Sequence, residues 1–340
     1  MPNLAQIAQQ LVATGKGILA ADESTGTIKK RFDTIGLEST ETSRRDYREM
    51  LFGAKEAMSQ YISGVILFDE TLRQSASDGT PFVEMLRANN CLPGIKVDMG
   101  AKPLPGHEGE TVTEGLDGLR DRLAEYRELG ATFAKWRGVI AIGEKGPTRA
   151  SIHANAHALA RYAALCQEAG IVPIVEPEVL ADGKPGNHTI EVCETVTGET
   201  LADVFEQLRI AGVDLSGIIL KPNMVIPGIN GPTVSVEDVA ERTVRTLKAT
   251  VPATVPGIAF LSGGQTCEQA SANLSAMHKI GGLPWALTFS YGRALQAEAL
   301  AAWGGKAENV AAAQKAFVHR ARMNSLASQG LWEADVDRAA

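Results

Sequence analysis

Eight short apolar runs, each ending in polar or charged residues, recur along the whole chain and most narrow what it can fold into. They are GILAADE from Gly17, SGVILFDE from Ser63, PGIKVD from Pro93, ATFAKWR from Ala131, GIVPIVEPE from Gly170, SGIILKP from Ser216, GIAFLSGG from Gly257 and PWALTFSYG from Pro284. Their weak alternation is that of parallel strands buried on both faces. Helical patterns separate them. In TEGLDGLRDRLAEYRELG, Leu116, Leu119, Leu123, Tyr126 and Leu129 fall three or four apart and Gly130 supplies a stop. SVED at Ser235 and TCEQ at Thr266 resemble capping boxes, and Gly170 and Gly212 close other helical segments.

Strand alternating with helix eight times over 340 residues predicts an α/β fold, a (β/α)8 TIM barrel with a parallel eight-stranded core. An open dinucleotide-binding sheet fits less well, because no GxGxxG turn follows GILAADE. With no solenoid repeat, low-complexity tract or Pro/Gly-rich linker, residues 1–340 read as a single barrel domain. A last helix runs through KAENVAAAQKAFVHRARMNSLASQG to Gly330, and residues 331–340 read as a short polar tail.

The formal charge of −7 repels phosphodiester backbones, so no nucleic-acid partner is expected, and an anionic substrate needs a local cationic pocket. Cys91, Cys166, Cys193 and Cys267 form no CxxC pair, which suggests neither a zinc knuckle nor a disulfide framework. The opening MPNLAQIAQQLVATGKG lacks a long apolar segment, and no run approaches the roughly 20 apolar residues of a membrane span. A cytoplasmic protein without a membrane partner is expected.

In a barrel of this kind the carboxyl ends of the strands converge on one face. The residues there are Asp22, Asp69, Lys96 with Asp98, Lys135 with Arg137, Glu176 with Glu178, Lys221, Ser262 with Gly263, and Ser290 with Arg293. One charged strand end is unremarkable, since strands end at solvent. Several lysines and carboxylates in one cleft perturb one another and mark a candidate functional site. A desolvated lysine beside other cations favours its neutral amine, which attacks a carbonyl to form an imine. Lys221, after Gly217, Ile218, Ile219 and Leu220 and before Pro222, is the strongest such candidate. Glu176 and Glu178 have strand spacing of two, share a side and suit proton transfer. LSGGQ at 261–265 and SYGR at 290–293, with the helix starting near Thr266, predict a phosphate nest to which Arg293 adds a cation.

Taken together, GILAADEST, GIKVD, FAKWR, VPIVEPE, IILKPNMV, FLSGGQ and ALTFSYGRALQ resemble class I fructose-bisphosphate aldolases, in order, from about Gly15 to Gly330. The resemblance implies reversible cleavage of fructose 1,6-bisphosphate to dihydroxyacetone phosphate and glyceraldehyde 3-phosphate through a lysine imine, with no cofactor and no metal. It implies that Lys221 forms the imine, that Glu176 is its general acid/base, that Glu178 and Lys135 tune that centre, and that Asp22 serves the C4 hydroxyl. It places Ser262, Gly263, Gly292 and Arg293 around one phosphate, with Leu261 and Ser290 adjoining. Ser24, Thr27, Arg31, Lys96 and Arg137 fall near the other phosphate or along the substrate chain. The partners implied are sugar phosphates and copies of the same chain in a homotetramer.

There are departures from the family pattern. Thr27 stands where a serine is frequent, keeping the hydroxyl, and Met99 follows Asp98 where a lysine is common. Animal members carry a terminal tyrosine that assists proton transfer to the enamine; here the last tyrosine is Tyr291 and the sequence closes on VDRAA. Two competing readings remain at this level. The pair His153 and His157 in HANAH has metal-ligand spacing without a third ligand nearby, and a zinc aldolase would lose activity to a chelator. A barrel kept only as a scaffold would have lost its imine lysine or its acid, and both Lys221 and Glu176 are present.

Overall fold

The computed structural model describes residues 3–338 except Lys145. Its barrel strands are β1 (Gly17–Ala21), β2 (Ile62–Leu67), β3 (Leu92–Lys96), β4 (Phe133–Ala141), β5 (Val172–Leu180), β6 (Ile219–Leu220), β7 (Gly257–Phe260) and β8 (Ala286–Tyr291). Each apolar run supplies one strand. Neighbours in the chain pair in parallel, and β8 returns to β1 to close the barrel. The fold is the expected TIM barrel.

The faint period of two in the strands is explained by what each face meets. Along β5, Val172 and Ile174 belong to one buried cluster and Val175 and Val179 to another. The first cluster lines the barrel interior: it joins Ile18, Ala20, Ile66, Phe133, Ile219 and Ala259 to Ala8, Leu11 and Val12. The second lies between sheet and helices, where Trp136 of β4 packs on Tyr162 with ring centroids 5.6 Å apart. Both faces are apolar, so the alternation is hidden from a hydropathy reading.

The helix Leu4–Leu11 starts at Asn3, whose side chain accepts from Gln6 N, and closes the amino-terminal end of the barrel. Inside, the Phe133 ring occupies space that glycines leave open: a Cβ at Gly64 or Gly94 would come within 2.9 or 2.3 Å of it. The outer helices start where the capping residues lie. Ser235 accepts from Asp238 N at 3.1 Å, and Thr266 and Gln269 cap each other reciprocally. The helix Leu119–Glu128 stops before Gly130, whose φ of 103° suits glycine alone, while Leu116 packs on the core ahead of the helix.

Three local features differ from the sequence reading. A hairpin of Ala101–Pro103 with Thr111–Thr113 lies between β3 and β4, too short and too exposed to show a pattern. Asp69 opens the helix Asp69–Arg73 and pairs with Arg73 at 3.0 Å, away from the other strand-end charges. The polar end of the chain folds back as the helix Ala334–Arg338, with Asp337 accepting from Trp332 Nε1 at 2.8 Å and Arg320 Nη1 at 2.7 Å. Among the described residues no helix is long and apolar enough to cross a membrane.

Candidate active site

The interior side chains change character toward the carboxyl end of the barrel. On β4 one face carries Phe133, then Lys135, then Arg137; on β5 it carries Val172 and Ile174, then Glu176 and Glu178. Asp22 follows β1 and Lys221 follows β6 on the same side. These charges are nearly as buried as the floor below them: Lys221 is 3 % exposed, Lys135 5 % and Glu176 3 %.

Burial of that kind is tolerable only for paired charges. Lys135 Nζ lies 2.7 Å from Asp22 Oδ2 and 3.3 Å from Glu176 Oε2. Glu176 Oε2 lacks a well-aligned hydrogen bond, so the contact with Lys135 is chiefly electrostatic. Lys221 Nζ lies 3.2 Å from the other oxygen, Glu176 Oε1, and Arg137 pairs with Glu178. Asp22, Lys135, Glu176 and Lys221 thus form one chain of alternating charge.

Burial pushes the Asp22 carboxyl up, but Lys135, with Lys221 and Lys96 behind it, reverses this and holds it well below its ordinary 3.8. Burial likewise pushes the Lys135 ammonium down, and Asp22, Glu176 and Asp98 together carry it well above 10.5. Glu178 raises Arg137 against its burial. Lys135 is therefore fixed as a cation between two carboxylates and makes a poor nucleophile. Lys221 has one carboxylate contact, placed to take or return a proton.

Two connected chambers open from this centre, of about 700 Å³ and about 310 Å³. The larger is lined by Leu261, Ser262, Gly263, Ser290, Gly292 and Arg293, together with Lys221 and both glutamates. A Cβ at Gly263 would stand 2.8 Å from Glu178 Oε1, so the residue keeps the backbone close to the charged centre. Ser290 Oγ is buried and has no protein partner. The smaller chamber holds Ser24 and Lys96 and shares Asp22, Thr27, Arg31, Lys135, Arg137 and Gly292 with the larger. All sixteen residues that the family resemblance implies for the site line one chamber or the other, whereas the strand-end residue Asp69 lines neither.

Two helices start near the larger chamber. Thr266 and Gln269 cap the helix Cys267–Ile280, whose residues are not among the lining of either chamber. The helix Arg293–Trp303 starts at Gly292 with no side-chain cap, and Gly292 and Arg293 line the larger chamber, so its amino end borders that space. Arg31 also reaches this side: its Nη2 lies 3.4 Å from the position of a Cβ on Gly292.

Several supporting residues were not singled out in the sequence. Glu23 is buried between Arg31 and Arg48 and accepts from Gln296 Nε2 at 3.2 Å, while Tyr47 Oη donates to Gln296 Oε1 at 3.0 Å. Asp98 was seen as a strand end; it holds Lys96 Nζ at 2.9 Å and accepts from Arg137 N at 3.3 Å. The position of Glu23 beside Asp22 was the available signal, but Arg48 and Gln296 are 25 and 273 residues away from it. Tyr291 is buried and donates to Ala270 O at 3.2 Å, outside the lining of either chamber. Met99 is 60 % exposed. His153 faces Asp203 at 3.2 Å on the outer helices, and among the described residues no three His, Cys, Asp or Glu side chains are grouped for a metal.

A family model described as fructose-bisphosphate aldolase class-I matches residues 3–340. A probable fructose-bisphosphate aldolase class 1 of Xanthomonas axonopodis pv. citri (strain 306) is 57 % identical over 332 residues, covering 97 % of this chain and 98 % of that one. The cytoplasmic isozyme 2 of fructose-bisphosphate aldolase from Pisum sativum is 55 % identical over 320 residues, covering 94 % and 88 %. Among solved structures, the Plasmodium falciparum fructose-bisphosphate aldolase, in complex with TRAP and a small-molecule inhibitor, superposes with a TM-score of 0.95. It is 53 % identical to this chain, with coverage of 97 % and 95 %.

Proposed function

The chain belongs to the class I fructose-bisphosphate aldolase family, and from that membership we infer how its own residues divide the reaction. The protein is a metal-independent lyase that cleaves fructose 1,6-bisphosphate reversibly to dihydroxyacetone phosphate and glyceraldehyde 3-phosphate through a lysine imine.

Lys221 gives a proton to Glu176, and its neutral amine attacks the C2 carbonyl of the open-chain ketose. Glu176 then protonates the departing hydroxyl, and water leaves to give the protonated imine. Asp22, kept ionised by Lys135, takes the proton of the C4 hydroxyl. The C3–C4 pair moves into the imine as an enamine and releases the aldehyde. The proton that Asp22 took is balanced by the one the enamine gains at C3, which leaves Asp22 ionised again, and hydrolysis of the imine by water returns Lys221 as the amine. Lys135 stays charged and keeps Asp22 and Glu176 at opposite ends of the reacting carbons. Ser262, Gly263, Gly292, Arg293 and the uncapped helix end take one phosphate, with Leu261 and Ser290 adjoining. Ser24, Thr27, Arg31, Lys96 and Arg137 stand near the other phosphate or along the substrate chain.

The observation that carries this reading is the Lys221 Nζ to Glu176 Oε1 separation of 3.2 Å, beside a Lys135 already bound to Asp22. Steady-state cleavage by Lys221→Met tests it: kcat falls by at least about a thousandfold, while chelation of the wild type with EDTA leaves the rate unchanged. Retained activity in Lys221→Met sinks the assignment.

The protein works as one barrel domain in the cytoplasm, in keeping with the plant relatives named cytoplasmic and cytosolic and with four cysteines that are all free thiols. It assembles as the homotetramer that the family resemblance implies, which light scattering reads directly.

A further inference from the structure

The lysine assigned to the imine stands at the end of the shortest barrel strand. β6 has two residues, paired to β5 as Ile174 with Ile219 and Val175 with Leu220, and to β7 by Leu220 with Ile258 alone. Lys221 N adds one more rung, to Val175 O at 2.8 Å. The ladder then stops for a covalent reason. The β5 residues whose backbone turns toward β6 continue from Val175 through Pro177 to Val179, and Pro177 has no N–H to donate to the Lys221 carbonyl; Pro222 turns the other way, its carbonyl accepting from Leu261 N at 3.1 Å. Yet β5 runs on to Leu180, carrying Glu176 and Glu178. The two elements that hold the reacting pair would be joined by little beyond Lys221.

A side chain bridges this gap. Asn223 is 5 % exposed, and its Oδ1 accepts from Val179 N at 2.9 Å, a side-chain link one step beyond the rung that Pro177 cannot make. Its Nδ2 donates to Thr197 Oγ1 at 3.1 Å on the helix Ile190–Ile210 and to Met224 O at 3.0 Å, with Cys193 Sγ at 3.9 Å. The amide thus ties the carboxyl end of β5, the segment after Lys221 and the outer helix together two residues from the amine. A carboxamide suits this task because it presents one acceptor and two donors without charge.

We propose that Asn223 is a positioning residue for the reaction, setting the separation of Lys221 from Glu176 by serving as a side-chain rung to β5 just past the backbone rung that Pro177 removes. The proposal rests on the roles assigned to Lys221 and Glu176. Removing the rung leaves the pair in place but loosens its register, which slows imine formation without changing the phosphate contacts. The expected signature is a fall in kcat with KM for fructose 1,6-bisphosphate nearly constant.

The test is the rate at which dihydroxyacetone phosphate and borohydride label Lys221, read by peptide mass, in the wild type, Asn223→Ala and Thr197→Val. Asn223→Ala is expected to label about ten- to a hundredfold more slowly, with kcat reduced alike and KM within about twofold. Thr197→Val, which removes one anchor of the amide, slows labelling by a smaller factor and decides the matter if Asn223→Ala does not fold. Wild-type labelling at Lys221 with unchanged rates in the folded variants, even at a lower melting temperature, makes Asn223 merely structural and overturns the proposal alone. Absence of wild-type labelling at Lys221 overturns the underlying assignment, and this inference with it.

Discussion

The two ends of the barrel are built on the same strands and are almost equally dry, yet opposite physics holds them. At the amino end Ile18, Phe133, Ile174 and Ile219 are fully buried among apolar neighbours. Two residues further along the same strands stand Lys135, Glu176 and Lys221, each at most 5 % exposed. At the floor, burial is itself the favourable term, roughly 25 cal/mol for each Å² of apolar surface removed from water. At the mouth burial is unfavourable for every group, and what offsets it is an opposite charge within 2.7 to 3.3 Å. The floor therefore fails when volume is removed. The mouth fails when charge is removed, even if volume is kept.

The first way to break this comparison is a change of charge without a change of shape. Glu176→Gln keeps the side-chain volume and removes the proton carrier between Lys221 and Lys135; kcat is expected to fall by about 10² to 10⁴, with the fold retained in circular dichroism. A second change works in the other direction. Phe133→Ala opens space beneath Gly64 and Gly94 and should lower stability by about 3–5 kcal/mol in urea denaturation, while kcat per folded molecule changes far less than in Glu176→Gln. If Phe133→Ala abolishes catalysis in fully folded protein, floor and mouth are not separable as described.

The smallest expected effect lies in the pH dependence of stability. The folded Asp22 carboxyl titrates below its ordinary 3.8, so its contribution is full above about pH 4 and is lost as pH falls through the folded value. Lys135, raised above 10.5, contributes fully below that pH and loses its contribution only as pH rises beyond it. The stability difference between wild type and Asp22→Asn should accordingly be level between pH 5 and 9 and shrink on acidification. A difference that grows as pH falls from 5 to 3 contradicts the coupling of Asp22 to Lys135.

The same contrast explains what could be read in the sequence. All eight strands were legible because each apolar run is bounded by charged or turn residues, and the pairing follows from parallel closure. Strand-end residues were legible as a set, since a barrel sends them to one face. Asp69 was misplaced because β2 ends at Leu67 and the chain turns into a helix at once, a boundary that SGVILFDE does not reveal. The helix expected to serve the phosphate carries the plain capping signal of Thr266 with Gln269, but a capping signal marks where a helix starts and not which helix borders the chamber, where Gly292 and Arg293 lie. Glu23, Arg48 and Gln296 escaped notice because their contacts join positions far apart in the chain. Asn223 lies within IILKPNMV, but its role depends on where Pro177 interrupts a neighbouring strand, which the local sequence does not show.

The central claim is that one particular amine at this mouth becomes covalently bound to substrate. Reduction with borohydride in the presence of dihydroxyacetone phosphate, followed by peptide mass analysis, measures this directly. One adduct per chain, on Lys221, is the predicted result. An adduct on Lys135 or Lys96 instead, or none while cleavage activity is intact, contradicts the account.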